Sequence, residues 1–323
     1  MARLIHRLRR TMHSPISLLI ALGLLLVGWQ TVVGTIPLVG QWIVFATLLL
    51  GAGIPHGALD HLISRETALR SGKRFSWTWF FIRYLALMLL YSIAWFIVPS
   101  ASLIIFLVVS AWHFGETDIE HVPSTASWIV TRFMVGSFVI AFILLTHPTE
   151  VTPILERITH HHPQVLSVWQ RVTQYSTSVW QSWALVTVCL FGVSVQLKPV
   201  GMNWPRLGRL TVILALGYWL PLLLAFGLYF GGWHALNSFQ SISAYLRQGR
   251  RIASTDQQIW LKSLPFTGLA LISLGVFVWW WQRSAHDWDP LPLLFVFLSV
   301  ITLPHLDVFH GMHNQIDGQV NAT

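Results

Sequence analysis

Apolar runs long enough to cross a bilayer recur along nearly the whole chain, and no other feature of the sequence narrows the possible folds as much. A helix rises 1.5 Å per residue, so about 20 apolar residues cover the ~30 Å of membrane hydrocarbon. Windows near that length fall at 16–34, 36–54, 77–98, 101–117, 127–146, 180–198, 206–220, 222–246, 265–283 and 290–306. They predict an all-α polytopic transmembrane helix bundle of about ten spans, in a range of 8–10. The seventh and eighth windows are read as separate because Pro221 must break or bend a helix. With 54% hydrophobic and only 10% charged residues, the composition excludes a soluble globular domain. Residues 1–323 therefore read as a single integral domain, multi-pass in the cell inner (plasma) membrane. The first run follows a basic start, as in a signal peptide. It is long enough to span, however, and no small-residue cleavage site follows it.

The net charge of +8 does not indicate nucleic acid, because the basic residues come in short clusters between apolar spans. With the N-terminus inside, the cytoplasmic segments receive Arg3, Arg7, Arg9 and Arg10, then Arg65, Arg70, Lys73 and Arg74. Lys198, Arg206 and Arg209 follow, then Arg247, Arg250, Arg251 and Lys262. That bias predicts cytoplasmic placement of both termini. The polar stretch 147–179 is expected to be an outward-facing loop with an amphipathic segment. Trp29, Trp42, Trp77, Trp79, Trp128, Trp204 and Trp288 fall near span ends and suit interfacial belts. Cys189 is the only cysteine, so no intrachain disulfide is possible, and it reads as a buried, inert thiol.

Against this background "GIPHGALDHLI" (53–63) is out of character, with two histidines and an aspartate at the end of an apolar run. The same half of the membrane is predicted to receive "AWHFGETD" with His113, "GGWHALNS" with His234 and "TLPHLDVFHGMH" with His305. Ionisable groups at membrane depth usually face the bundle interior and mark a site. Neutral imidazoles with no thiolate suit iron, zinc or copper rather than magnesium. The candidate ligands are His56, His113, His234 and His305. Asp60, Asp118 and Asp307 stand close to these histidines in sequence and are candidates to hold their far ring nitrogens, whereas Glu120 reads as part of a solvated loop. "HHH" at His160 to His162 falls in the outward excursion and reads as a solvated feature. His6, His13, His121, His147, His286 and His313 fall in flanks or tails and receive no role.

Together, "GIPHGALDH", "WHFGETD", "YFGGWHALNS" and "TLPH" resemble the bacterial membrane β-carotene dioxygenases of the Brp/Blh type. The resemblance runs from about Gly53 to His305. It implies a non-haem Fe(II) enzyme that cleaves the central double bond of β-carotene with O2 to give two all-trans-retinal. O2 reacts at the iron and no protein nucleophile takes part. It also implies β-carotene, O2 and membrane lipid as partners, with no nucleic acid, and a functional link to a retinal-binding opsin. His56, His113 and His234 match family positions proposed as iron ligands. The third motif departs from the family pattern, with Ser238 where a second histidine is expected. His305 or His61 then completes the set, or a position is left open. A tunnel for the polyene is expected to run along Phe114, Phe230, Trp233 and Phe239.

Other readings stay open at this point. His56 and His61 form an H-x4-H pair, as in a diiron desaturase or hydroxylase acting on an apolar lipid, and facing histidines also suit a bis-His haem. A transporter relaying protons through buried His and Asp is a third class, although the sequence has no evident internal repeat.

Overall fold

The structure, a computed structural model, describes residues 15–248, 255–284 and 290–320. His6, His13, His286, Trp288, Arg3, Arg7, Arg9, Arg10, Arg250 and Arg251 lie outside these residues. The described residues are almost wholly helical. In chain order the helices are α1 (Pro15–Val32), α2 (Leu38–Leu48), the π-helical turn π1 (Leu49–Gly53), α3 (Ile54–Gly57) and α4 (Asp60–Arg70). Then come α5 (Trp77–Ile97), α6 (Pro99–Asp118), α7 (Ala126–Thr146), α8 (Pro148–Ile158), α9 (Pro163–Gln174) and α10 (Ser176–Leu197). The chain continues with α11 (Trp204–Tyr218), α12 (Leu222–Phe226), π2 (Gly227–His234), α13 (Ala235–Gln248), α14 (Asp256–Ser284) and α15 (Pro290–Val320).

Every predicted window coincides with helix. Eight of the described helices are long and apolar enough to cross a membrane, the second of them running over Leu38–Arg70. The other two windows became the 15-residue α11 and the broken stretch α12–π2–α13, which begins just after Pro221. The stretch 147–179, expected as a loop with an amphipathic segment, carries two short amphipathic helices. These are α8 and α9, pinned together by Trp169 Nε1 donating to Thr152 Oγ1 at 2.8 Å, with His160 to His162 exposed at the turn between them. Val151, Ile154 and Ile158 of α8 are buried against the bundle.

Two close approaches set the positions of the site-bearing helices. Gly115 of α6 and Gly136 of α7 let the two backbones touch, for a Cβ at Gly115 would lie 1.9 Å from the Arg132 carbonyl oxygen. In lipid, where apolar burial gives helices little reason to associate, such small-residue contacts allow the close packing that holds them. The second approach is the crossing of π1 and π2, where a Cβ on Gly53 would stand 3.6 Å from Gly231 Cα. π-Helical turns widen a helix and are frequent at functional sites.

Exposure corrects two further expectations. Cys189 is exposed on α10, because its side of the helix points away from the bundle. Trp128 is fully buried and donates from Nε1 to the Lys198 carbonyl at 3.2 Å, so it anchors a helix junction instead of a belt. Trp29, Trp77, Trp79 and Trp204 are exposed.

Candidate metal centre

Each of the four histidines comes from a different part of the bundle. His56 follows π1 in the short α3, His113 lies near the end of α6, His234 closes π2, and His305 stands in α15 after the internal Pro304. All four are buried. One ring nitrogen from each of His56, His113 and His305 lies within 4.8 Å of the other two. His234 flanks this trio, its ring centroid 4.7 Å from His113 and 5.4 Å from His56. Phe230 lies nearly parallel to it at 5.9 Å, and Phe114 packs at 4.7 Å.

The hydrogen bonding shows what these rings lack. His113 and His234 each keep both ring nitrogens buried with no hydrogen-bond partner, and His305 Nε2 is in the same state. An unpartnered buried donor or acceptor costs about 1–3 kcal/mol, so several converging on one point call for a missing partner. A cation that accepts imidazole lone pairs supplies it, and the donor set of neutral nitrogens without sulfur suits a first-row transition metal.

His305 Nδ1 lies 2.7 Å from Asp60 Oδ1, and Tyr84 donates its hydroxyl to Asp60 Oδ2 at 3.0 Å. A carboxylate on the far nitrogen fixes the tautomer and aims the other nitrogen at the metal position. Asp60 thus holds a ring as expected, but the ring of His305 rather than of its sequence neighbour His56. His56 Nδ1 instead meets the Ala52 carbonyl at 3.3 Å. Tyr84 carries no motif that would have revealed it in the sequence. A carboxylate needing a second donor was the only signal.

The other carboxylates go elsewhere. Asp118 accepts from Tyr229 Oη at 2.9 Å and Trp233 Nε1 at 2.8 Å, so it braces the π2 wall and holds no histidine. Asp307 pairs with Arg83 at 2.8 Å. Glu120 is no solvated residue, since it is held by Arg206 at 2.6 Å and by the Ser241 hydroxyl. Glu116 accepts from His310 Nδ1 at 2.7 Å.

His61 stays out of the cluster. Its ring packs on Phe266 at 4.4 Å and its Nδ1 meets the Ala58 carbonyl at 3.1 Å, because two turn residues, Ala58 and Leu59, break the helix between it and His56. The H-x4-H pair therefore does not close on one point, and of His305 and His61 it is His305 whose ring nitrogen lies with those of His56 and His113. Ser238, one turn past His234, is buried with its hydroxyl unpartnered. His147 is not in a flank but buried, with Nε2 2.7 Å from the Leu220 carbonyl. His313 is buried as well, its Nδ1 3.3 Å from the Phe309 carbonyl.

A cavity of about 360 Å³ opens beside the cluster, and His56, His113, His234 and His305 are all in its wall. The rest of the wall is overwhelmingly apolar, running from Phe80 and Phe81 past the histidines to Ile158 and Trp169 under the α8–α9 cap. Phe114 and Phe230 line it as expected. Trp233 does not, being turned to Asp118. Phe239 does not either, and packs against Leu59, Ile242 and their neighbours.

Fold and site together define a protein of helices long and apolar enough to cross a membrane, whose buried, metal-competent histidine centre faces an apolar cavity. Residues 46–313, which include all four histidines, match the family described as Beta-carotene 15,15'-dioxygenase, and the chain belongs to that family. A relative named Beta-carotene 15,15'-dioxygenase, from Uncultured marine bacterium 66A03, is 25% identical over 270 residues, covering 82% of this chain and 91% of that protein. No solved structure matches the chain.

Proposed function

We propose that this protein is a non-haem iron dioxygenase that cleaves the central double bond of β-carotene with O2 to give two molecules of all-trans-retinal. The stoichiometry is closed: one carbon–carbon double bond breaks, each of its carbons takes one oxygen atom, and no further reductant is needed. The observation that carries the reading is the trio His56, His113 and His305, with His234 beside it, in the wall of an apolar cavity, where both ring nitrogens of His113 and His234 and Nε2 of His305 are buried without partners. These residues would hold the iron, which supplies when bound the one-electron chemistry that lets O2 react with a polyene.

The chain itself binds, orients and dries. Asp60 and Tyr84 fix the His305 ring through Nδ1. Phe114 and Phe230 flank His234 and give a flat polyene two faces to lie against. The apolar wall excludes water from the reacting carbons. The product is the chromophore a retinal-binding opsin would take up. The same reading has residues 1–323 as one domain of about ten spans in the inner membrane, with both termini cytoplasmic; the alternation of basic segments supports it.

The test is expression in cells that accumulate β-carotene, with extracted retinal quantified against an empty vector and against His113→Ala. Retinal that disappears with the substitution supports the reading. Undiminished carotene with the protein present in the membrane overturns it.

A further inference from the structure

Residues that line the cavity and are yet exposed on the outer surface mark where it opens. Among the described residues there are three: Leu85 at 59% exposure, Leu269 at 55%, and Ser273. All three belong to α5 or α14, and every other lining residue is buried or half-buried. The opening therefore lies between these two helices.

Its shape follows from two aromatic contacts that bridge them. Phe81 stacks on Phe266 at 5.9 Å near one end, and Phe96 meets Trp280 edge-on at 6.3 Å near the other. The fourteen helical steps from Phe266 to Trp280 make a window of about 21 Å at 1.5 Å per residue. Leu85, Leu269 and Ser273 lie inside this frame. Leu85 and Leu269 stand near the middle of their apolar spans, Trp77–Ile97 and Asp256–Trp280. The window consequently faces the depth of the bilayer where hydrocarbon, and not water, is the solvent. Helix α14 is also loosely seated, packing its backbone mainly against the short α3.

We propose that the window between α5 and α14 is a lateral portal through which a long apolar polyene passes from the lipid to the histidine centre. The proposal rests on the reading of the protein as a carotene dioxygenase for the identity of the polyene, but the position of the portal does not. A molecule dissolved in the bilayer core need never cross an aqueous surface to reach the cavity. The Phe81–Phe266 and Phe96–Trp280 contacts set the length of chain that can pass broadside.

The experiment blocks the window and reads passage in two ways. The chain carrying Cys189→Ser and Ser273→Cys is reconstituted into β-carotene-containing liposomes. Retinal formation is followed before labelling, after attachment of a bulky methanethiosulfonate reagent, and after its removal with dithiothreitol. The expected result is at least a tenfold fall in rate on labelling, reversed by reduction. The same label on Ile272→Cys, whose parent side chain is 65% exposed but outside the cavity, should change the rate less than twofold. A rate that survives labelling at position 273 overturns the portal. The second reading needs no turnover: an apolar diazirine dissolved in the bilayer is photolysed and its adducts mapped. Adducts on the cavity residues Leu107 and Ile301 that vanish when position 273 is labelled support the portal, even if the protein makes no retinal and the proposed activity falls. Adducts absent from the parent, or undiminished by the label, sink it.

Discussion

His305 and Asp60 are 245 positions apart and meet at 2.7 Å, Nδ1 against Oδ1, inside the bundle. The bond ties α15 to the start of α4 and leaves His305 Nε2 buried without a partner beside His56 and His113. Asp60 is therefore expected to govern metal affinity without being a ligand. Asp60→Asn should weaken metal binding about 10–100-fold, the usual effect of removing such an outer carboxylate. Tyr84→Phe, which removes only the hydroxyl on the far carboxylate oxygen, should have a smaller effect in the same direction. Metal content after dialysis against graded chelator measures both, and an Asp60→Asn protein that retains metal like the parent refutes the role.

His61 makes a sharper test of the ligand set, because its spacing from His56 invites assignment to the metal while its ring lies against Phe266. His61→Ala should leave the metal stoichiometry of the purified protein unchanged, whereas His56→Ala, His113→Ala and His305→Ala should each abolish it. Loss of metal in His61→Ala comparable to that in His56→Ala would return the H-x4-H pair to the site.

The contrast between these residues shows how far the sequence can be read. Apolar windows located the helices, and the cost of burying imidazole in hydrocarbon pointed to four histidines from segments far apart in the chain, which the fold brings side by side. Sequence proximity then failed for the carboxylates. Asp60 serves His305 and not His56, because Ala58 and Leu59 turn the chain between them. Asp118 was pulled away by the indole and phenol of Trp233 and Tyr229. The turns π1 and π2 were also hidden, since no local residue preference distinguishes them from α-helix. They arise where Gly53 and Gly231 let two backbones cross.

Ser238 stands where the resembled motif has a histidine, and its hydroxyl is buried with no partner. A polar group already unsatisfied in the folded state loses nothing when it is removed. Ser238→Ala should thus leave metal content unchanged and stability equal to or up to about 1 kcal/mol above the parent, by thermal unfolding in detergent. A clear fall in metal content would show that the hydroxyl belongs to the site.

The contact of α6 with α7 gives the last prediction, because it connects packing directly to the metal centre. A Cβ on Gly136 would lie 1.8 Å from the Ala111 carbonyl oxygen and 2.6 Å from the Gly115 nitrogen, all of them backbone atoms that cannot rotate aside. Gly136→Ala must then push α6 away from α7, at about 1–3 kcal/mol or more for overpacking. His113 is carried on α6, two residues from that contact. The substitution should therefore lower the unfolding temperature and the bound metal together, although it lies on a helix that supplies no ligand. Gly192→Ala is the matched control, for a Cβ there meets nothing within 4 Å on α10. That change should raise stability by about 0.5–1 kcal/mol through helix propensity and leave the metal in place. A Gly136→Ala protein that unfolds and binds metal like the Gly192→Ala control would mean that the close approach of α6 and α7 does not position His113.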